Sequence, residues 1–174
     1  NNNTKKYKAV FFDNNNKNRK TRKPESSKVG YTFRQKIGDK IRDYCPIRKL
    51  YKTKLLMENP NLLDLFREYR NHYFKHFEFD EITINRMYAG SRIKQHLDKR
   101  NMGDSYLVAF GNYTGGKTLI QNENDNNFII ADARDTPLCF NGSQRKHSVS
   151  TINSGIRYSL VFYKNNFGKK SIKN

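Results

Sequence analysis

The 174-residue chain has no tryptophan and only two cysteines. Cys45 and Cys139 lie far apart and form no C-x-x-C pair, which excludes a zinc knuckle and a disulfide framework and makes a reducing, intracellular setting the expectation. No apolar run approaches the roughly 20 residues that cross a bilayer. The polar start Asn1-Asn2-Asn3-Thr4-Lys5-Lys6 lacks the apolar stretch of a signal peptide, so no membrane partner is expected. Internal repeats are missing too, and no His-Glu-x-x-His spacing occurs, which removes a zinc-protease helix; Gly111 to Thr118 has the G-x-x-x-x-G-K-[ST] spacing of a phosphate loop, but Gly115-Gly116 reads as a β-turn needing positive φ. Acidic residues are the scarcest class relative to their opposites: 16 Asp and Glu face 34 Lys and Arg, for a net charge of +18.

That charge is local. Residues 1–54 carry 17 basic and 4 acidic side chains, leaving a net of +5 for the other 120. Such asymmetry reads as the footprint of nucleic acid or another polyanion, bound through the basic N-terminal half. A composition heavy in Asn, Lys, Ile, Tyr and Phe also fits an AT-rich genome, whose codons supply lysine whether or not anything binds it. Residues 1–27, with Asn14-Asn15-Asn16, a basic run from Lys17 to Lys23, Pro24 and Ser26-Ser27, read as a basic Asn/Lys-rich arm. Within it, Ala9-Val10-Phe11-Phe12 is the one candidate for an added edge strand.

The rest, residues 28–174, reads as one domain. From Asn59, Pro60 and apolar residues at helical spacing (Leu62, Leu63, Phe66, Tyr69, Tyr73) predict an amphipathic helix of about 15 residues. Beyond it the period becomes two. Ile82–Ile84, Tyr106–Phe110, Thr118–Ile120, Phe128–Ile130, Leu138–Phe140 and Tyr158–Tyr163 are short strand-type runs separated by Gly, Asn and Asp turns. The fold class expected is α+β, a sandwich or barrel core preceded by helices.

His96-Leu97-Asp98 puts an imidazole and a carboxylate on one side of an extended segment, and His147 follows 49 residues after Asp98, at a strand-like stretch able to lie alongside. Two His and one carboxylate on one face of an octahedral iron leave three positions for a chelating 2-oxo acid and O₂. Alone, H-x-D is weak. Arg157 and Ser159 strengthen it: they alternate onto one face of the last strand, where an Arg among apolar residues is costly unless it meets an anion. A guanidinium and a hydroxyl suit the distal carboxylate of 2-oxoglutarate. A surface Arg on an edge strand is the plainer reading. His72 and His76 share a helical spacing and read as packing or surface residues.

The ordered set Ile84-Asn85-Arg86, His96-Leu97-Asp98-Lys99, the turn Gly111-Asn112-Tyr113-Thr114-Gly115-Gly116, Phe140-Asn141-Gly142 leading to His147, and Arg157-Tyr158-Ser159-Leu160-Val161-Phe162 resembles the Fe(II)/2-oxoglutarate-dependent dioxygenase superfamily. The resemblance covers about residues 60–164. It implies a double-stranded β-helix (jelly roll) core at about 80–164 with supporting N-terminal helices, iron held by His96, Asp98 and His147, and 2-oxoglutarate held by Arg157 and Ser159, with O₂ as co-substrate and ascorbate as an accessory reductant. Asn85, eleven residues before His96, is similar to the Asn-Arg-Tyr of AlkB-type nucleic-acid demethylases and is implied at the co-substrate; Met87 stands where that motif has Tyr, with Tyr88 one place late. The ten-residue gap from His147 to Arg157 resembles the TET/JBP group. A nucleic-acid base is the substrate these likenesses imply. A prolyl- or lysyl-type protein hydroxylase and a non-catalytic jelly-roll binding module are the alternatives. Lys99, Arg100 and Asn101 line the substrate mouth on this reading, or form a solvated loop.

Overall fold

The computed structural model describes residues 23–166; most of the basic arm, Ala9–Phe12 included, lies outside the described residues. The first described strand is β1 (Glu25–Thr32), so residues 25–27, read as part of the arm, belong to the sheet. Four short strands follow, β2 (Lys36–Ile37), β3 (Lys40–Ile41), β4 (Tyr44–Cys45) and β5 (Leu50–Lys52), then two helices, α1 (Lys54–Glu58) and α2 (Leu62–Tyr73). The expectation of N-terminal helices ahead of the core is therefore corrected. Among the described residues, strands come first and the helices interrupt them.

Helix α2 is shorter than predicted and begins at Leu62, after Asn61, with Pro60 outside it. It ends at Phe74, where the chain leaves helical geometry, and His76 sits beyond at φ 73°, so His72 and His76 share no helical face. Leu62, Leu63 and Phe66 turn inward onto the outer face of the main sheet. Phe66 meets Phe162 edge-on at 6.1 Å, and Phe74 stacks on Tyr106 at 4.3 Å. Burying each such side chain contributes about 1.5–3 kcal/mol.

The remaining strands are β6 (Glu81–Tyr88), β7 (Ile93–His96), β8 (Asn101–Phe110), β9 (Tyr113–Gly115), β10 (Thr118–Gln121), β11 (Phe128–Ala131), β12 (Leu138–Phe140), β13 (His147–Val149) and β14 (Ile152–Asn165). Every run expected from period two lies in one of them. The main sheet runs β12-β8-β14-β6-β1-β5-β4, with β9 also on β14; the smaller sheet runs β11-β10-β13-β7. All strand pairs are antiparallel. One apolar cluster joins Met87, Leu107 and Ala109 of the main sheet to Ile120 and Val149 of the smaller one, so the sheets pack face to face in the layout expected of a jelly roll.

β14 lies at the centre of the main sheet, between β8 and β6. Its alternation divides two environments. Tyr158, Leu160 and Phe162 face the helices. Arg157, Ser159, Val161 and Tyr163 face a cavity of about 1180 Å³ between the sheets. The surface-edge reading of Arg157 does not hold: the residue is 1% exposed on an interior strand.

Candidate metal and co-substrate site

β7 and β13 pair so that His96 and His147 are directly opposite. Their ring centroids are 4.3 Å apart. Asp98 follows two residues later, anchored where its N–H donates to the Gly142 carbonyl at 2.8 Å. His96 Nε2 lies 3.6 Å from Asp98 Oδ1, and His147 Nε2 lies 3.4 Å from Asp98 Oδ2. The candidate ligand atoms of the three residues fall within 4.8 Å of one another.

The imidazoles are oriented from behind. His96 Nδ1 is 2.8 Å from the Lys94 carbonyl and His147 Nδ1 is 3.0 Å from the Arg145 carbonyl. A carbonyl can only accept, so each Nδ1 carries the hydrogen; each Nε2 faces the carboxylate, where it donates to Asp98 when protonated and is the nitrogen left to ligate a metal when it is not. Burial alone would push the Asp98 carboxyl up; the hydrogen bond and charge of His147, with His96 and Lys28, outweigh it and hold it low. Burial alone would lower His147, and Asp98 and the Arg145 carbonyl reverse that. The set is thus poised to carry positive charge. Gly142 leaves the room, since a Cβ there would come within 3.3 Å of both Asp98 Oδ2 and His147 Cε1.

Deeper between the sheets, Arg157 is nearly sealed from water. Its Nη1 lies 3.8 Å from Met87 Sδ, while Nε and Nη2 meet no hydrogen-bond acceptor within bonding distance. Burial pushes the guanidinium's pKa down, opposed mainly by Tyr113. The hydroxyls of Tyr113 and Thr118 are buried and unpartnered as well. Of the six buried, unpartnered side-chain atoms among the described residues, four belong to Arg157, Tyr113 and Thr118. The Tyr113 ring stands 5.9 Å from the guanidinium carbon. Gly116 makes the approach work: at φ 62°, a Cβ would lie 2.5 Å from Ile152 Cδ1 and 3.1 Å from Arg157 Cδ. An arginine left with two buried nitrogens unpaired costs several kcal/mol. Donors converging without an acceptor make a receptor for an anion.

Among solved structures the chain is similar to an oxidoreductase of the 2OG-Fe(II) oxygenase family from Burkholderia pseudomallei, at 19% identity and a TM-score of 0.52, covering 80% of this chain and 65% of that one. It is also similar to NgTET1, solved in complex with 5mC DNA, at 17% identity and a TM-score of 0.56, covering 95% and 67%. The fold is that of the 2OG-Fe(II) oxygenases. The chain spans about two thirds of the length of either structure. No sequence-family profile and no curated protein matches it.

The other expected site residues fall in several places. Ser159 and Asn85 meet across β14 and β6: Asn85 Nδ2 donates to Ser159 Oγ at 3.4 Å and Asn85 Oδ1 accepts from Ser26, so Asn85 belongs to the cavity wall. Tyr88 is turned elsewhere. Its hydroxyl donates to Glu25 at 2.9 Å, and burial, with Glu25 second, pushes its pKa up to about 12. The only tyrosine beside Arg157 among the described residues' ring contacts is Tyr113. Lys99 and Arg100 border the cavity mouth. Asn101, expected beside them, is 8% exposed and donates to Asp98 Oδ2 at 3.4 Å and Ser105 Oγ at 3.3 Å, which makes it a support for the metal-side carboxylate.

Sequence reasoning missed Tyr113, Thr118 and Lys28. Lys28 donates to the Tyr163 hydroxyl at 2.8 Å, lies 3.6 Å from Glu81, and leaves part of its ammonium open to the cavity. Lys28 shares one face of β1 with Ser26 and Thr32, which border the cavity, while Val29 on the other face packs under the helices; that alternation is the signal that would have placed it.

Proposed function

We propose that this protein is an Fe(II)- and 2-oxoglutarate-dependent oxygenase that oxidises a nucleic-acid base, with His96, Asp98 and His147 as iron ligands and Arg157 as the partner of the co-substrate's C5 carboxylate. The observation that carries the reading is Arg157, buried on a central strand with two unpaired nitrogens. It lies in the same cavity as a His-Asp-His set whose Nε2 atoms are free to ligate. A dicarboxylate would suit both groups: one carboxylate would neutralise Arg157, and His96, Asp98 and His147 would hold the metal that takes the 2-oxo acid end. The donor set fits iron, because two imidazoles and one carboxylate leave coordination positions open where a structural zinc site would close them.

When bound, iron couples decarboxylation of 2-oxoglutarate by O₂ to oxidation of a substrate C–H bond, giving succinate and CO₂. The chain's own residues do the positioning. Arg157, with the Tyr113 and Thr118 hydroxyls, fixes the far carboxylate; Ser159 and Asn85 hold the wall beside it. The Lys94 and Arg145 carbonyls keep both imidazoles in the ligating tautomer. Asn101 and the Gly142 carbonyl fix the Asp98 segment. The basic rim supports a polyanionic substrate, and a base held in a duplex would have to leave the stack to enter.

Incubating the protein with Fe(II), 2-oxoglutarate and a panel of DNA, RNA and peptides, then measuring mass change in each, tests the reading. Oxidation or demethylation of a base in one nucleic acid is expected. Hydroxylation of a peptide with none of the nucleic acids altered would replace the substrate while keeping the chemistry.

A further inference from the structure

The rim of the cavity holds a second group of unpaired donors, apart from Arg157. The hairpin of β2 and β3 folds Arg42 back on Arg34: Arg42 N donates to the Gln35 carbonyl at 2.9 Å and Arg42 Nη1 to the Arg34 carbonyl at 3.4 Å. The Arg42 guanidinium is thereby held on the Arg34 backbone, close enough for the two charges to act on each other. Neither forms an ion pair among the described residues, and Arg42 Nε is shut off from water with no partner. Burial, and then the charge of Arg34, lower the Arg42 pKa, with Glu81 acting the other way. Next to this pair Phe33 is 48% exposed, and the Arg100 guanidinium sits 5.3 Å from its ring centroid. All four residues border the cavity that holds the triad.

Like charges held side by side repel unless an anion lies between them, and an exposed phenyl ring gains from covering. We infer that Arg34 and Arg42 form a clamp for a backbone phosphate of a nucleic-acid strand, and that Phe33, flanked by Arg100, is the platform on which a neighbouring base stacks. This rests on the nucleic-acid reading above and gives it an address. Arginine forks match phosphate oxygens, and an aromatic face accepts any base, so the pair grips a single strand or an extruded nucleotide with little regard to sequence. An acidic peptide satisfies the guanidiniums but has no use for the ring.

The test is fluorescence anisotropy of a labelled single-stranded oligonucleotide bound to the full chain over a series of salt concentrations. Replacing both arginines, Arg34→Ala with Arg42→Ala, should weaken binding and reduce the slope of log affinity against log salt by about 0.7, the share of one neutralised phosphate on a single strand. Lysine at both positions should restore most of the slope but not the full affinity. Phe33→Ala should weaken binding roughly 5- to 150-fold, the range of one lost stacked base, with the slope unchanged. Wild-type slopes in the arginine variants, wild-type affinity in Phe33→Ala, or equal competition by polyglutamate would overturn the clamp. Calorimetry of 2-oxoglutarate binding to the wild type with Mn(II) reports the oxygenase reading independently of any oligonucleotide.

Discussion

A guanidinium at 1% exposure with two unpaired nitrogens destabilises the protein that carries it, and a bound anion would offset that cost. Two opposite consequences follow for Arg157. Arg157→Met, similar in length and apolar, should stabilise the ligand-free protein by about 1–4 kcal/mol in a urea melt. In contrast, Arg157→Ala should weaken 2-oxoglutarate binding by about 2–5 kcal/mol, as truncating one partner of a buried charge pair does. Arg157→Lys should not rescue it, since the ammonium lacks the fork; binding of wild-type strength in the lysine variant would contradict a bidentate grip. Tyr113→Phe and Thr118→Val should each cost about 0.5–1.5 kcal/mol in the same calorimetric titration. His96 with Asp98, and Arg157 with Ser159, stood out in the sequence because each pair sits two residues apart on one extended segment, while His147 was added from a strand-like stretch and comes opposite His96 through the β7–β13 pairing. Tyr113, Thr118 and Lys28 were not. They reach the site through strand pairings such as Thr118 opposite Val149 and Lys28 opposite Thr83, and such register is not written in local spacing.

At the scale of elements, the site depends on two pieces of backbone geometry. The turn between β9 and β10 brings Gly116 against Arg157, and a side chain there meets both a positive φ and Ile152 at 2.5 Å. Gly116→Ala should destabilise the fold by about 1–2 kcal/mol from the left-handed backbone alone, and it should weaken 2-oxoglutarate binding because Arg157 must shift. Unchanged co-substrate affinity in that variant would detach the turn from the site. On the outer face, Phe66→Ala should lower stability by about 3–5 kcal/mol while leaving Mn(II) binding intact, since Phe66 packs on Phe162 on the side of β14 away from the cavity. The strands after residue 80 were legible because apolar residues alternate there with few interruptions. Those between 25 and 52 were not: Glu25, Ser26 and Lys28 present polar side chains that pair with Arg86, Asn85 and Tyr163 rather than an apolar stripe, so the segment reads as an arm.

Over the whole molecule, two sheets place the charged chemistry at successive depths of one cavity: Arg157 at the inner end, the His-Asp-His set along the wall of the smaller sheet, and the arginines at the rim. The basic excess noted in residues 1–54 contributes Lys28, Arg34 and Arg42 to that cavity, which gives part of the sequence's charge a location. Because ligands bind the folded form, Mn(II) with 2-oxoglutarate should raise the melting temperature together more than either does alone, by about 2.7 kcal/mol of stabilisation at a hundredfold excess over Kd. The measurement that bears most directly on the central claim is conversion of labelled 2-oxoglutarate to labelled succinate by the wild type, compared with His96→Ala, Asp98→Ala, His147→Ala and Arg157→Ala. The account predicts Fe(II)-dependent succinate from the wild type, none from the three ligand variants although their circular dichroism is unchanged, and recovery in Arg157→Ala only at much higher 2-oxoglutarate. Succinate formation that persists in a folded His96→Ala or His147→Ala protein, or that never rises above the iron-free level in the wild type, would contradict it.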